Sequence, residues 1–400
     1  MGGGRRIVEV PVTLEVPVGP QHPALHEPLL LKVYAEGEEI VKVEVSTGYN
    51  HRGVEKLCER SSFHKCVFVI GRVCGICNTV HTDCFVRALE HLLGVEPCGR
   101  ARFLRTLAME LERIHSHMLA NAVLALNVGF ENLFMNIMLD RERVMKAKEV
   151  LTGSRVMADY IVVGGVRRDL DDAKREKIAR SLDALAPRLE YYKRVFEEDE
   201  TMLKRTVGVG KVSRLGAIRR SLLGPVARAS GVAIDARASE RYDAYGELEF
   251  GVVVRGEGDA WARAMVRWDE ALEAVQIARQ ALEKLPSDGD PVPDERRLPR
   301  RFPAGEVYTR VEAPRGELTY YVVSDGRGPN PYRVKIRTPS FNNIVNSPFM
   351  FVGYSVADLP AILASLDPCI SCVERVTIID VEKGARRCVA LRELAGGRDG

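Results

Sequence analysis

The sequence predicts a mainly helical α+β fold, with small antiparallel β-sheets near both ends of the chain. Three observations carry this. From Asn78 to about Lys284 the apolar residues recur with a helical period. Both flanks instead alternate apolar and polar residues, as strands do. Gly- and Pro-bearing turn clusters punctuate those flanks. Composition agrees: 400 residues, 46% apolar and 28% charged, describe a folded globular chain with a sizeable core. A disordered protein, a collagen-like fibre and a small disulfide scaffold are excluded. The net charge of +3 is too weak to point to nucleic acid or to an anionic membrane surface.

In chain order, Ile7 to Val18 and Leu29 to Val45 read as strands, the second broken by a turn near Gly37. The Pro-punctuated segment Gly19 to Pro28 joins them as a rigid loop. Helices are expected over Asn78–Leu93, Arg100–Leu126, about Glu131–Leu151, Asp171–Val195 and Asp259–Leu285. The second is expected to be amphipathic, with Leu104, Leu107, Leu111, Ile114, Met118 and Ala122 on one face. Pro286 to Pro303 is Pro-rich and charged, an exposed linker or surface loop. Leu318–Val323 and Tyr332–Arg337 flank a turn cluster as a long hairpin, and Val352–Leu366 reads as helix. Val376–Val381 again has strand character.

Met1 to Arg6 (MGGGRR) leads into the strand pattern without the apolar run of a secretory signal. The apolar-leaning stretch His117–Leu139 is interrupted by Asn121, Asn127, Glu131, Asn132 and Asn136, which suits a buried helix pair and not a membrane span. A membrane role would therefore come through partners.

Nine cysteines, an odd number, cannot all pair within the chain. Four of them form two C-x-x-C pairs nearly the whole chain apart, Cys74/Cys77 and Cys369/Cys372, each beside an expected helix end. Free N–H groups at a helix N-terminus stabilise thiolates, and four thiolates suit a soft ion. Four readings stay open on the residues alone. A structural zinc site usually places its pairs about 15–20 residues apart. A cubane cluster usually draws three cysteines from one short run. The others are two unrelated pairs, or a two-metal thiolate centre joining the chain ends. Cys58, Cys66, Cys84, Cys98 and Cys388 have no metal-ligand spacing.

The two motifs, RVCGIC and DPCISCVER, resemble those of nickel–iron hydrogenase large subunits. GPQHPALHEP, GYNHRGVEKL, ELERIHSH, GGVRRDL, GPVARASG and EAPRGEL extend the resemblance over almost the whole chain. They look like the energy-converting, membrane-bound (group 4) members, which are related to the quinone-site subunit of respiratory complex I. The resemblance implies a hydrogenase large-subunit-like helical core in a single domain, 1–400. Its segments are a β-rich stretch 1–50, a helical core 51–285, a loop 286–303, a hairpin and metal motif 304–375, and a tail 376–400, cleaved after Arg375 on maturation.

It also implies site residues. Cys74 and Cys369 would be terminal nickel ligands, with Cys77 and Cys372 bridging nickel and an iron that carries carbon monoxide and cyanide. Glu27 resembles the proton-relay glutamate, and Arg315, after Pro314, the arginine suspended over the open metal position. Ser340 resembles the residue donating a hydrogen bond to a cyanide, and His81 the histidine bonded to a bridging thiolate. Glu55 matches a family glutamate of no defined role, and a Mg2+ or Fe2+ ion is expected near the C-terminal motif. No nucleotide fingerprint is present, and the lone Glu112-x-x-His115 lacks the second pair that a di-iron bundle needs.

Arg375 and Thr319-Tyr320-Tyr321 stand where many soluble members have His and His-Trp, which fits the membrane-bound group. The implied partners are a small subunit with a proximal 4Fe–4S cluster, a polyferredoxin-like subunit, antiporter-like membrane subunits, ferredoxin and maturation proteins. The implied location is peripheral, on the cytoplasmic face of the cell membrane. Two further readings remain: a complex-I-like subunit forming a quinone or sulfur-compound site, and a non-catalytic scaffold held by a four-cysteine zinc site.

Overall fold

The computed structural model describes residues 13–22, 27–294 and 298–373, together with the backbone at 378–379 and 386–387. The expected class is borne out. Strands β1 (Thr13–Val18), β2 (Leu30–Glu36) and β3 (Glu39–Ser46) form an antiparallel sheet in the order β1-β2-β3, its turn made at Gly37 with φ 62°. Short helices α1 (Val54–Glu59) and α2 (Phe63–Gly71) lead into α3 (Asn78–Leu93). Four long helices then pack together: α4 (Gly99–Asn127), α5 (Glu131–Thr152), α6 (Asp172–Glu198) and α11 (Ala260–Glu283). The small helices α7 (Glu200–Thr206), α8 (Arg214–Arg219), α9 (Gly224–Arg228) and α10 (Ala236–Glu240) lie between the last two in sequence. No helix among the described residues is long and apolar enough to cross a membrane.

The helix boundaries were legible because the caps are local. Asp171 and Asp259, expected as helix starts, are the N-caps of α6 and α11, accepting from Lys174 N and Ala262 N at 2.8 Å. Satisfying these amides typically contributes about 1 kcal/mol per cap.

Three expectations need correction. First, α4 is not amphipathic. The expected apolar face is buried, but so are Arg105, Glu110, Glu112, Arg113, His115 and His117. The helix is enclosed by α3, α5, α11 and the short helix at 359–366, and its charges find partners in the packed interior. Second, Val352–Leu366 is helical only from Val356: a 3-10 turn (Val356–Asp358) capped by Ser355, which bridges to Glu39, runs into α13 (Leu359–Leu366). Pro360 in its first turn fixes where the α-helix starts, because proline lacks the amide that would bond the Val356 carbonyl. Third, a small hairpin, β4 (Ile161–Val162) and β5 (Gly165–Val166), was not foreseen.

The 286–303 segment is mostly exposed but pinned at two buried residues, Pro291 against Gly165 and Phe302 against Phe63, with ring centroids 4.2 Å apart. The second main sheet joins β6 (Gly305–Ala313), β7 (Gly316–Ser324) and β8 (Arg333–Arg337), followed by α12 (Pro339–Val345). The expected long hairpin is β7–β8. A tighter one, β6–β7, turns on Pro314 and Arg315 alone. A two-residue pair, β9 (Ile378–Ile379) with β10 (Arg386–Arg387), is seen in the backbone beyond. The cleavage expected after Arg375 lies outside the described residues.

Charge buried beside α4 has a consequence for acid stability. His117 Nε2 lies 2.9 Å from Glu270 Oε2, and Arg228 Nε donates to Glu270 Oε1 at 2.6 Å. Burial pulls His117 down to about 4, against the opposing pull of Glu270. Burial acts upward on Glu270, but Arg228 and His117 outweigh it and bring it down to about 2. Both groups therefore bind protons less readily folded than unfolded, where 6.5 and 4.5 are ordinary. Their stabilisation is complete above pH 6.5 and lost on acidification. His117 loses it between pH 6.5 and 4, and Glu270 between pH 4.5 and 2. Each step is of order 3 kcal/mol. Denaturant midpoints measured against pH should fall through both windows; a midpoint constant from pH 6.5 to 4 would contradict a neutral His117.

Candidate metal centre

The N-terminal cysteine loop leaves the C-terminus of α2, and Cys77 is the N-cap of α3. The Cys74 Sγ accepts from Ile76 N at 3.3 Å and Cys77 N at 3.2 Å, so the turn aims two amides at one sulfur. Cys77 makes no side-chain cap bond. Glu112 of α4 caps α3 from outside, accepting from Thr79 N and Val80 N at 3.0 Å, and is held by Lys148 of α5 at 3.1 Å. An anion at a helix N-terminus is favourable, and this buried pair fixes the turn that carries Cys77 and His81. Glu112 is thus a supporting residue that no local spacing could reveal, because its partners come from other helices.

The C-terminal loop is fixed differently. Helix α13 ends at Leu366, and Asp367 adopts a left-handed φ of 51°. That conformation costs about 1 kcal/mol or more for a residue with a Cβ. Here it lets one arginine hold the loop: Arg315 donates Nε to the Asp367 carbonyl at 2.8 Å and Nη2 to its carboxylate at 2.7 Å. Arg315 sits at the β6–β7 tip, where Pro314 presets the turn. Gly316 (φ 126°) and Gly224 (φ 61°) let that tip pack backbone to backbone on α9; a Cβ on either would come within 3 Å of main chain.

Cys369 N donates to Ser340 Oγ at 3.2 Å, and Thr338 Oγ1 donates to the Cys372 carbonyl at 2.8 Å. Half-buried Glu27 accepts from Ile370 N, from Ser371 N at 3.2 Å and from Ser371 Oγ. The loop's polar backbone is therefore bound by side chains from distant parts of the chain.

All four thiols converge and are buried. Cys74 Sγ lies 3.4 Å from Cys369 Sγ and 3.0 Å from Cys77 Sγ. The sulfurs of Cys74, Cys369 and Cys372 all fall within 4.8 Å of one another, as do the ligand atoms of Cys77, His81 and Cys372. Thiolates bound at ~2.3 Å around a tetrahedral ion would be separated by about 3.8 Å, so this donor set fits a thiolate-bound metal. The four thiols are tightly coupled: hydrogen bonds from the other three lower Cys74, while the bond to Cys74 and burial raise Cys77, Cys369 and Cys372. Thiols bind a metal as thiolates, so loading would expel protons from the cluster.

His81 places Nε2 3.6 Å from Cys372 Sγ and Nδ1 2.7 Å from the Tyr320 hydroxyl. Burial lowers it to about 4, leaving a neutral ring at pH 7. Arg315 is a permanent cation beside the cluster. Burial opposes its charge, but Asp367 and the thiols of Cys369, Cys77 and Cys74 raise it well above the ordinary arginine range.

A cleft of about 170 Å3, lined by Glu55, Val73, Lys335, Arg337, Thr338 and Cys372 among others, reaches the cluster from one side. Glu55 is already engaged by Arg333 at 3.1 Å, Ile336 N at 2.9 Å and Lys335 at 3.9 Å. Among the described residues no group of three His, Cys or carboxylate ligands, apart from the cysteine cluster with His81, lies near the C-terminal motif, and Glu374 lies outside the described residues. Cys58, Cys66 and Cys84 lie buried outside the cluster, Cys84 raised to about 12 by burial. Cys388 lies outside the described residues.

The chain is similar in sequence and in fold to known proteins. Residues 52–125 match the nickel-dependent hydrogenase family profile, and residues 127–301 and 296–375 that of the respiratory-chain NADH dehydrogenase 49 Kd subunit. The chain is 38% identical to the carbon monoxide-induced hydrogenase of Rhodospirillum rubrum, over 91% of this chain and 99% of that one. It is 37% identical to an NADH-quinone oxidoreductase subunit of Rhizobium meliloti, over 90% and 94%. A chain in the structure of the membrane-bound sulfane sulfur reductase, an archaeal respiratory membrane complex, superposes with a TM-score of 0.86 at 35% identity, covering 91% of this chain and 98% of that one.

Proposed function

Because the chain belongs to the family that joins membrane-bound nickel–iron hydrogenase large subunits to the 49 kDa-type subunit of respiratory complex I, we propose that it is the catalytic subunit of an energy-converting hydrogenase, interconverting protons, electrons and hydrogen. The observation that carries this reading is the convergence of four buried thiols from opposite ends of the chain. A quinone pocket has no need of a soft ligand set; nickel does.

On this reading Cys74 and Cys369 would hold nickel, and Cys77 and Cys372 would be shared between nickel and an iron carrying carbon monoxide and cyanide. A metal pair bound there would supply the electron-rich site needed to make or split hydrogen. Glu27, seated on the backbone beside Cys369, accepts and releases the proton at its carboxylate. Arg315 holds a fixed positive charge near the thiolates and, staying protonated, leaves the relay proton alone. Pro314 sets the turn that presents it. His81 keeps a neutral imidazole against Cys372 and tunes that ligand. Ser340 accepts from Cys369 N, and its hydroxyl hydrogen would be available to donate to a cyanide.

Electrons leave through a small subunit with a proximal 4Fe–4S cluster and a polyferredoxin-like subunit, with ferredoxin as redox partner. Antiporter-like membrane subunits couple the reaction to ion translocation, and maturation proteins install the metals. The chain sits peripherally on the cytoplasmic face of the membrane. A second reading, reduction of a sulfur compound at the same thiolate centre, is favoured by the likeness to the sulfane sulfur reductase chain.

The test is an infrared spectrum of the anaerobically purified native complex, paired with metal analysis and two assays. One carbon monoxide band, two cyanide bands, nickel and hydrogen release from reduced ferredoxin are expected. The bands with sulfide release from polysulfide and no hydrogen would favour the second reading. Absence of bands and nickel from a natively matured sample would favour a quinone- or sulfur-reducing subunit. Zinc in place of nickel would favour a scaffold.

A further inference from the structure

Between the N-terminal sheet and α1, the loop 47–53 crosses the outer face of both cysteine loops. Its Arg52 reaches over the seam between them. Nη1 donates to the Arg72 carbonyl at 2.8 Å, and Nη2 to the Val73 carbonyl at 2.7 Å. The same Nη2 also reaches the Ser371 carbonyl at 3.0 Å. The first two carbonyls immediately precede Cys74; the third lies between Cys369 and Cys372.

We propose that Arg52 is a positioning residue that pins the two cysteine loops to one another and so sets the spacing of the four sulfurs. It touches no sulfur, and it acts through the backbone that carries them. The proposal rests on the four cysteines forming a metal site, but not on which reaction that site performs.

The chemistry of these contacts favours arginine. The Arg72 and Val73 carbonyls follow the last turn of α2, where carbonyls lack helical partners and carry the negative end of the helix dipole. A cation is stabilising there. Two carbonyls on one loop and a third on another require donors fixed in a plane and spread apart. A guanidinium provides that fork, whereas an ammonium offers three donors from a single point.

The mount is rigid. Gly53, at φ 63°, caps α1, and α1 is tied to β8 through Glu55 to Ile336 N at 2.9 Å and Glu59 to Arg333 at 2.8 Å. Asn50 of the same loop donates to Ser371 Oγ at 3.4 Å, a second and weaker tether. No other described side chain is seen donating to carbonyls of both cysteine loops. Glu27, Ser340 and Thr338 hold the C-terminal loop alone.

The test uses the full-length chain prepared without nickel, titrated anaerobically with Co2+, whose sulfur-to-cobalt charge-transfer and d–d absorption count thiolate ligands. Wild type should bind one Co2+ with a four-thiolate spectrum. R52K keeps the stem and the charge, and hence the fold. It should bind at least ~10-fold more weakly, with fewer sulfurs per cobalt and a melting temperature near that of wild type; 10–100-fold is the usual cost of losing a partner that orients metal ligands. R52A should show the same loss or a larger one. R52K binding Co2+ as wild type does would overturn the proposal, because charge and packing would then suffice without the fork. A wild-type chain that never gives a four-thiolate spectrum would instead refute the metal site itself.

Discussion

Replacing Cys372 with serine should leave the chain folded and empty of nickel, with hydrogen turnover below detection. Cys372 is buried among the other three sulfurs, and its Sγ also faces His81 Nε2 at 3.6 Å. Serine is close in volume, so the packing cost is small. Its hydroxyl does not ionise near neutral pH, however, and is a poor ligand for a soft metal. Loss of an orienting partner alone lowers metal affinity roughly 10–100-fold; loss of a direct ligand should exceed that. Nickel per chain in the purified complex, hydrogen evolution and the melting temperature report the three parts separately. Stoichiometric nickel with normal turnover would remove Cys372 from the ligand set. The same substitution at Cys74, Cys77 or Cys369 should behave alike, which distinguishes one shared centre from two independent pairs.

Glu27→Gln should lower turnover by roughly 10²–10⁴-fold while nickel and the infrared bands persist, the range expected for loss of a positioned acid–base group. The glutamate makes three contacts with the C-terminal loop, two to backbone amides and one to the Ser371 hydroxyl. Glutamine can keep an amide contact through its carbonyl oxygen, but it has no second acceptor oxygen. The measurement must therefore separate a proton carrier from an anchor. If Glu27 carries protons, H/D exchange collapses at constant nickel content. If it only anchors the loop, nickel content falls in step with activity. Near-normal exchange in a nickel-replete variant would sink the relay assignment.

The cysteine pairs were legible because a ligand motif is a local pattern: two thiols three residues apart beside a helix end. Helix limits were equally local, and α3 runs over the expected Asn78–Leu93 because its period, its start at the cysteine turn and its stop at Gly94 are all written in adjacent residues. Arg315 was visible only as part of the EAPRGEL resemblance. That it presents its guanidinium to Asp367 depends on a two-residue turn seated against Gly224, 92 residues before Gly316 in another element, and no local pattern encodes that.

What the sequence determined by itself is the set of chemical groups and the elements that carry them: four thiols, a mainly helical body and a sheet near each end. What only the tertiary structure decided is which distant groups meet. Glu112 capping α3, Lys148 balancing Glu112, Glu27 on the 370–371 amides and Arg52 across both loops are all pairings between separate elements. So is the burial of α4 on nearly every face, which a one-sided apolar stripe did not foretell. The physical reason is that propensity and capping act over a few neighbouring residues. The partners of a buried charge or an unsatisfied amide are instead set by how whole elements pack, and a buried polar group is stable only where that packing brings it a partner.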